Sequence, residues 1–99
     1  MFIYNTTFVV NNTAFDAWQN WLDSTCIPLI QNLVSASEVA VYEVMSVDDE
    51  EEKTISVQWK VAMPDDVDAI HKQSPIMLAQ MGSEFGTKVL FFSSILRSL

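Results

Sequence analysis

Apolar and polar side chains alternate strictly from Thr54 to Val61, with Ile55, Val57, Trp59 and Val61 set against Thr54, Ser56, Gln58 and Lys60. A period of two puts the large apolar groups on one face of a pleated strand and the polar ones on the other. The same period opens the chain: Phe2, Tyr4, Thr6, Phe8 and Val10 share one face, and Ile3, Asn5, Thr7 and Val9 the other. Glu38 to Val47 and Lys88 to Ser98 read as two further strands.

Helical spacing fills the gaps between these strands. After the turn Asn11-Asn12, Thr13 is suited to cap a helix with Asp16 in its first turn. Phe15, Trp18 and Leu22 then recur on one stripe, widened by Ala14, Trp21 and Thr25. Pro28 is expected to stop or kink this helix, leaving Ile27, Leu29, Ile30, Leu33 and Val34 as a short apolar continuation. The acids Asp48 to Glu52 join two strands as a polar hairpin loop. Met63-Pro64-Asp65-Asp66 ends a strand and starts the second helix, with Val67, Ile70 and His71 on one side of its first turns. Ser74-Pro75 is expected to reset that helix, Leu78, Met81, Gly82 and Phe85 continue its inner stripe, and Gly86 closes it.

The order strand, helix, strand, strand, helix, strand predicts one α+β domain over residues 1–99, a four-stranded antiparallel sheet with two helices on one face. Two helices cover one face only, yet three strands carry apolar residues on both. Tyr4 and Phe8 oppose Ile3 and Val9, Val41 and Met45 oppose Tyr42 and Val44, and Val89, Phe91 and Ile95 oppose Leu90, Phe92 and Leu96. A bare second face would exceed the few hundred Å² of apolar patch that monomers usually show. The expected partner is a second copy, in a homodimer through the open sheet face.

Composition sharpens this. A chain of 99 residues, 49% of them hydrophobic, has little interior in which to hide them. Thirteen acids against five bases give a net charge of −8, which repels phosphate backbones and anionic lipid; neither nucleic acid nor membrane is an expected partner. One cysteine, Cys26, allows no internal disulfide and no zinc cluster, and the N-terminus has no basic segment before its apolar residues. A reduced, cytoplasmic setting is expected.

Candidate chemistry is sparse. His71 is the single histidine and so the one side chain suited to proton transfer near neutrality; at the rim of an apolar pocket, burial would favour its neutral, proton-accepting form. The plain alternative is a half-exposed helical histidine bonded to a carbonyl or to water. Asp48 to Glu52 lacks the glycine and alternating ligand spacing of a calcium loop and reads as a solvated tip; no metal is expected. Cys26 has no base beside it in sequence and reads as a small buried hydrophobe. Trp18, Trp21 and Trp59 suit either an aromatic pocket or a core. Two glycines leave no room for a phosphate-binding loop.

Ile3-Tyr4-Asn5-Thr6, Trp18 through Leu22, Ile27-Pro28, and Phe85-Gly86 followed by Phe92 and Leu96 together resemble a family of short bacterial proteins catalogued as a domain of unknown function. That resemblance covers nearly the whole chain, with Cys26 standing where the family usually has histidine before Ile-Pro. It implies a ferredoxin-like βαββαβ subunit pairing as a dimeric α+β barrel. A fainter resemblance, over Trp59 to Met77, is to antibiotic-biosynthesis monooxygenases, which oxidise aromatic or polyketide substrates without a bound cofactor. Some of their relatives degrade haem with a first-strand asparagine plus a tryptophan and a histidine around the second helix. Asn5 and His71 match two of those positions, and no tryptophan lies between Asp65 and Phe85.

Two functions are therefore expected to compete. One is a homodimeric domain that binds a small apolar molecule between sheet and helices, against Tyr4, Trp18 and Trp59. The other is a cofactor-independent monooxygenase or isomerase in which His71 is the general base and Asn5 or Tyr4 hydrogen-bonds the developing oxyanion. Neither calls for a cofactor. An interaction module acting through the acidic hairpin is a third class.

Overall fold

The computed structural model of the protein describes residues 1–35, 37–45 and 51–99. The end of the expected second strand (Ser46, Val47) and the acids Asp48, Asp49 and Glu50 lie outside the described residues.

Strand β1 (Phe2–Asn11) lies inside the sheet, antiparallel to β3 (Glu52–Val61) on one side and β4 (Val89–Arg97) on the other. Strand β2 (Glu38–Val44) pairs antiparallel with the far side of β3, so the order across the sheet is β2-β3-β1-β4. Register follows the apolar period. Tyr4 stands opposite Trp59 and Ile95, and Phe8 opposite Ile55 and Phe91. A slip of one residue would turn each set to the wrong side. Helices α1 (Phe15–Trp21), α2 (Ile27–Leu33) and α3 (Pro64–Phe85) pack on the Tyr4–Phe8–Trp59 face in one core. With α1 and α2 forming one arm, the element order is βαββαβ and the fold is ferredoxin-like. None of the described helices is long and apolar enough to cross a membrane.

The arm departs from expectation at both ends of its first stretch. Its cap is Asn11, not Thr13: the Asn11 carboxamide oxygen accepts from the Thr13 amide at 2.9 Å and from the Thr13 hydroxyl at 2.7 Å, over a 3-10 turn at Asn12–Ala14. Pro28 does not stop the helix. Leu22–Cys26 widens into a π-helical turn in which the Ile27 amide donates to the Leu22 carbonyl, five residues back. Proline has no N–H for the carbonyl four residues behind it and its ring crowds that carbonyl; the wider turn accommodates both. The extra residue also rephases the stripe, so Cys26 and Ile30 are buried while Thr25 is exposed.

Helix α3 runs unbroken for 22 residues with Pro75 inside it, so the expected reset at Ser74 does not occur. Pro75 is exposed, and it deprives the helix of one bond to the His71 carbonyl, a cost of about 3 kcal/mol. Burying Val67, Ile70, Met77, Leu78 and Met81 outweighs that loss, since each large apolar side chain contributes about 1.5–3 kcal/mol. Tertiary packing overrides the local signal. Gly86 then ends the helix with a positive φ of 59° that a side chain would strain.

Candidate functional site

Alternation along the strands divides the expected site residues between two faces. On the helix-covered face, Tyr4 and Trp59 are cross-strand partners, and the Tyr4 hydroxyl lies 3.5 Å from His71 Nδ1, the outer limit of a hydrogen bond. Their rings are 6.0 Å apart and tilted by 59°. His71 itself is exposed on α3, so the burial expected for a desolvated base is absent. Trp18 is buried farther along the sheet, its ring centroid 5.0 Å from Phe8 and 6.0 Å from Phe15. Its indole N–H is buried without a partner among the described residues.

Behind Tyr4 and Trp59 the space between sheet and helices shrinks to a void of about 10 Å³, walled by Cys26, Ile30, Ile70 and Met77 among others. That is room for about one water, not for a ligand. Among the described residues, the void behind Tyr4 and Trp59 is therefore too small for the ligand expected against them. Burial pushes the Cys26 thiol up to about 12, keeping it neutral and non-nucleophilic in the apolar wall.

Asn5 points the other way. It lies on the open face of the sheet, where its carboxamide oxygen accepts from Ser56 Oγ at 2.6 Å and its nitrogen donates to Thr7 Oγ1 at 3.1 Å. Gln58 Nε2 extends the chain of bonds to Ser56 Oγ at 3.3 Å. The structure therefore brings Tyr4, Trp59 and His71 together and separates Asn5 from them by the thickness of the sheet. An asparagine already committed to two neighbours on the far face cannot reach an oxyanion beside His71.

Across the open face, polar β3 and the middle of β1 form a central strip of small polar groups, flanked by bulky apolar residues on the edge strands. Tyr42 and Val44 of β2, and Leu90, Phe92 and Leu96 of β4, are all exposed. Between β2 and the strip lies a hollow of about 310 Å³ lined by Ile3, Glu38, Ala40, Tyr42, Gln58 and Lys60. Small Ala40, set between Glu38 and Tyr42 on its strand, makes the depression; the long side chains around it make the rim. Sequence reasoning saw the two-faced strands but missed Ala40, Gln58 and Lys60 as a site. The register that unites them, Ala40 opposite Gln58 and Glu38 opposite Lys60, is a long-range pairing that no local period reveals.

The family described as "Domain of unknown function (DUF4286)" matches residues 1–99. No curated protein matches the chain. Among solved structures, the de novo designed protein Foldit4 is similar with a TM-score of 0.69 and 8% identity, covering 99% of this chain and 98% of the designed one. Protein Atu4242 from Agrobacterium tumefaciens is similar with a TM-score of 0.64 and 14% identity, covering 100% of this chain and 94% of its own. At such identities the likeness is one of fold alone.

Proposed function

Since the chain belongs to the DUF4286 family, a domain of unknown function, no activity comes to it by name, and we propose from the site itself a homodimeric domain that pairs its open sheet faces and holds a small molecule between them. The observation that carries this reading is the coincidence, on one face, of a hollow of about 310 Å³ bordered by Tyr42 with four more exposed large apolar side chains along the two edge strands, while the void described on the opposite face has room for about one water. Sheets that pack face to face stand about 10 Å apart, a gap that Tyr42, Phe92 and the leucines can fill and that Ser56, Thr7 and Asn5 cannot. Two such faces would meet at their bulky margins and enclose a cavity over their polar centres. A ligand there would lay an apolar body on Ile3, Ala40 and Tyr42 and offer a polar or anionic group to Gln58 and Lys60.

Sedimentation equilibrium at micromolar concentration tests the assembly, with twice the 11.2 kDa chain mass expected. Binding is tested with the probe anilinonaphthalene sulfonate, whose apolar rings and single anion suit the hollow. Ala40→Trp fills the depression and is expected to abolish the fluorescence rise with no loss of melting temperature. An unchanged rise in that variant refutes the site.

A second reading rests on the approach of Tyr4 to His71. In a cofactor-independent monooxygenase or isomerase, His71 would take a proton from an activated carbon and the Tyr4 phenol would hydrogen-bond the developing oxyanion, with Trp59 packing beside them. Oxygen uptake with quinol substrates tests it: His71→Ala should remove turnover, and equal turnover in the variant excludes His71 from the chemistry.

A further inference from the structure

The hollow on the open face carries charge at one end only, and that charge is of both signs. Glu38 and Lys60 stand directly opposite each other across β2 and β3, and both line the hollow. They also line a smaller hollow of about 140 Å³ beside Met1, Val61 and Ala62, so the two side chains rise between two open spaces. Among the described residues neither side chain makes an ion pair or a hydrogen bond, with the other or with any neighbour. Of the bases on the strands, Lys53 and Arg97 stand opposite Val10 and Phe2 on the helix side. Lys60 alone brings positive charge to the open face.

The rows that follow along the strands are of a different kind. Gln58 stands opposite Ala40, and its Nε2 donates to Ser56 Oγ at 3.3 Å, which leaves its amide oxygen free to accept. Tyr42, opposite Ser56 and more than half exposed, ends the hollow with an aromatic ring. At about 3.3 Å per residue, Tyr42 lies roughly 13 Å along the strand from Glu38.

We propose that the ligand of this hollow is a free α-amino acid with a large apolar side chain. This rests on the reading of the hollow as a binding site and adds the class of molecule it takes. The ligand's carboxylate bonds Lys60 Nζ, its ammonium bonds the Glu38 carboxylate and the Gln58 amide oxygen, and its side chain lies over Ala40 against Tyr42. Spacing selects that class. Directly opposed residues have Cα atoms about 4.5–5.5 Å apart, so an ammonium and a carboxylate on one carbon reach both side chains at once. Charges at the two ends of a longer molecule would set one of them over the Tyr42 ring. The field selects it too: a net charge of −8 disfavours a simple anion, and Lys60 disfavours a simple cation. A zwitterion has no net charge and satisfies both signs. A volume of about 310 Å³, at the small end of ligand pockets, suits a molecule of this size.

The test is titration calorimetry of the full chain with L-phenylalanine and L-leucine, beside two analogues that each lack one charge. 3-Phenylpropanoate has no ammonium, and 2-phenylethylamine has no carboxylate. L-Phenylalanine is expected to bind, with each analogue at least about 10-fold weaker, the size of one lost bond to a charged group. Glu38→Gln and Lys60→Met should each weaken L-phenylalanine by a similar factor, and Ala40→Trp should abolish its heat. Both charged residues are exposed, and a melting curve of each variant checks that it folds. An analogue that binds as tightly as L-phenylalanine, or an unchanged affinity in either charge variant, overturns the zwitterion. No heat from either amino acid, in a chain whose anilinonaphthalene sulfonate signal is lost in Ala40→Trp, overturns the amino-acid class and leaves the hollow standing as a site. An anilinonaphthalene sulfonate signal unchanged in Ala40→Trp overturns both.

Discussion

Replacing Phe92 by serine separates assembly from folding. In the single chain Phe92 is 60% exposed, on the open face of an edge strand. Burying a phenylalanine side chain completely contributes about 1.5–3 kcal/mol, so burying the exposed part adds about 1–2 kcal/mol in each copy. One substitution acts twice in a symmetric dimer, and the loss is about 2–4 kcal/mol, a Kd weaker by roughly 30-fold to nearly 1,000-fold. Sedimentation equilibrium over a dilution series reads this directly. The control is Phe8→Ala, at a position 1% exposed under Trp18 and Trp21, which should cost folding stability by about 3–5 kcal/mol in denaturant melts. If Phe92→Ser leaves the dimer constant where it was, the open face is not the interface and the reasoning from exposed strand surface fails.

Three further outcomes follow from the core and the chain ends. Burial raises the Cys26 thiol from 9.0 to about 12, so the unfolded chain ionises first; stability is full below pH 9 and falls by about 1.4 kcal/mol per pH unit as pH rises from there toward 12, a slope that should be missing from urea melts of Cys26→Ala. Gly82→Ala on the exposed flank of α3, with open space around it, should stabilise by about 0.5–1 kcal/mol, whereas Gly86→Ala, at φ 59°, should destabilise by about 1 kcal/mol or more; thermal melts of the pair give opposite signs. Ser56→Ala strips the Asn5 carboxamide oxygen of its 2.6 Å donor and should cost about 1–3 kcal/mol, a penalty that should shrink in the Asn5→Ala background when the double-mutant cycle is measured by urea denaturation.

Strand alternation made the sheet legible from sequence: Ile55, Val57, Trp59 and Val61 are all buried on the helix side of β3, Ser56 being its one buried residue on the other face, and the four strands run where that period puts them. Prolines were less legible. Pro28 and Pro75 both signal breaks, and both are absorbed, one by a wider turn and one by packing on either side of it. Thr25 was assigned to the buried stripe because a 3.6-residue period was carried through a turn that does not keep it. The candidate site divided in a similar way. Tyr4, Trp59 and His71 converge because strand register and helix docking bring them together, while Asn5, one residue from Tyr4, is taken to the opposite face by the same alternation. The hollow at Ala40 depends on which strands become neighbours, and that is decided by the whole fold.

The widened turn at Leu22–Cys26 has a consequence for changes in chain length. It holds one residue more than an ordinary helical path between Trp21 and Ile27 would, with Ser24 already folded back onto the Asn20 carbonyl at 2.6 Å. Deleting Ser24 should return the arm to a regular spiral and keep Ile30 and Val34 over the sheet, whereas removing a residue anywhere else in α1 or α2 would rotate one half of the arm against the other. Genetic drift in the length of this segment therefore has a single harmless place to happen.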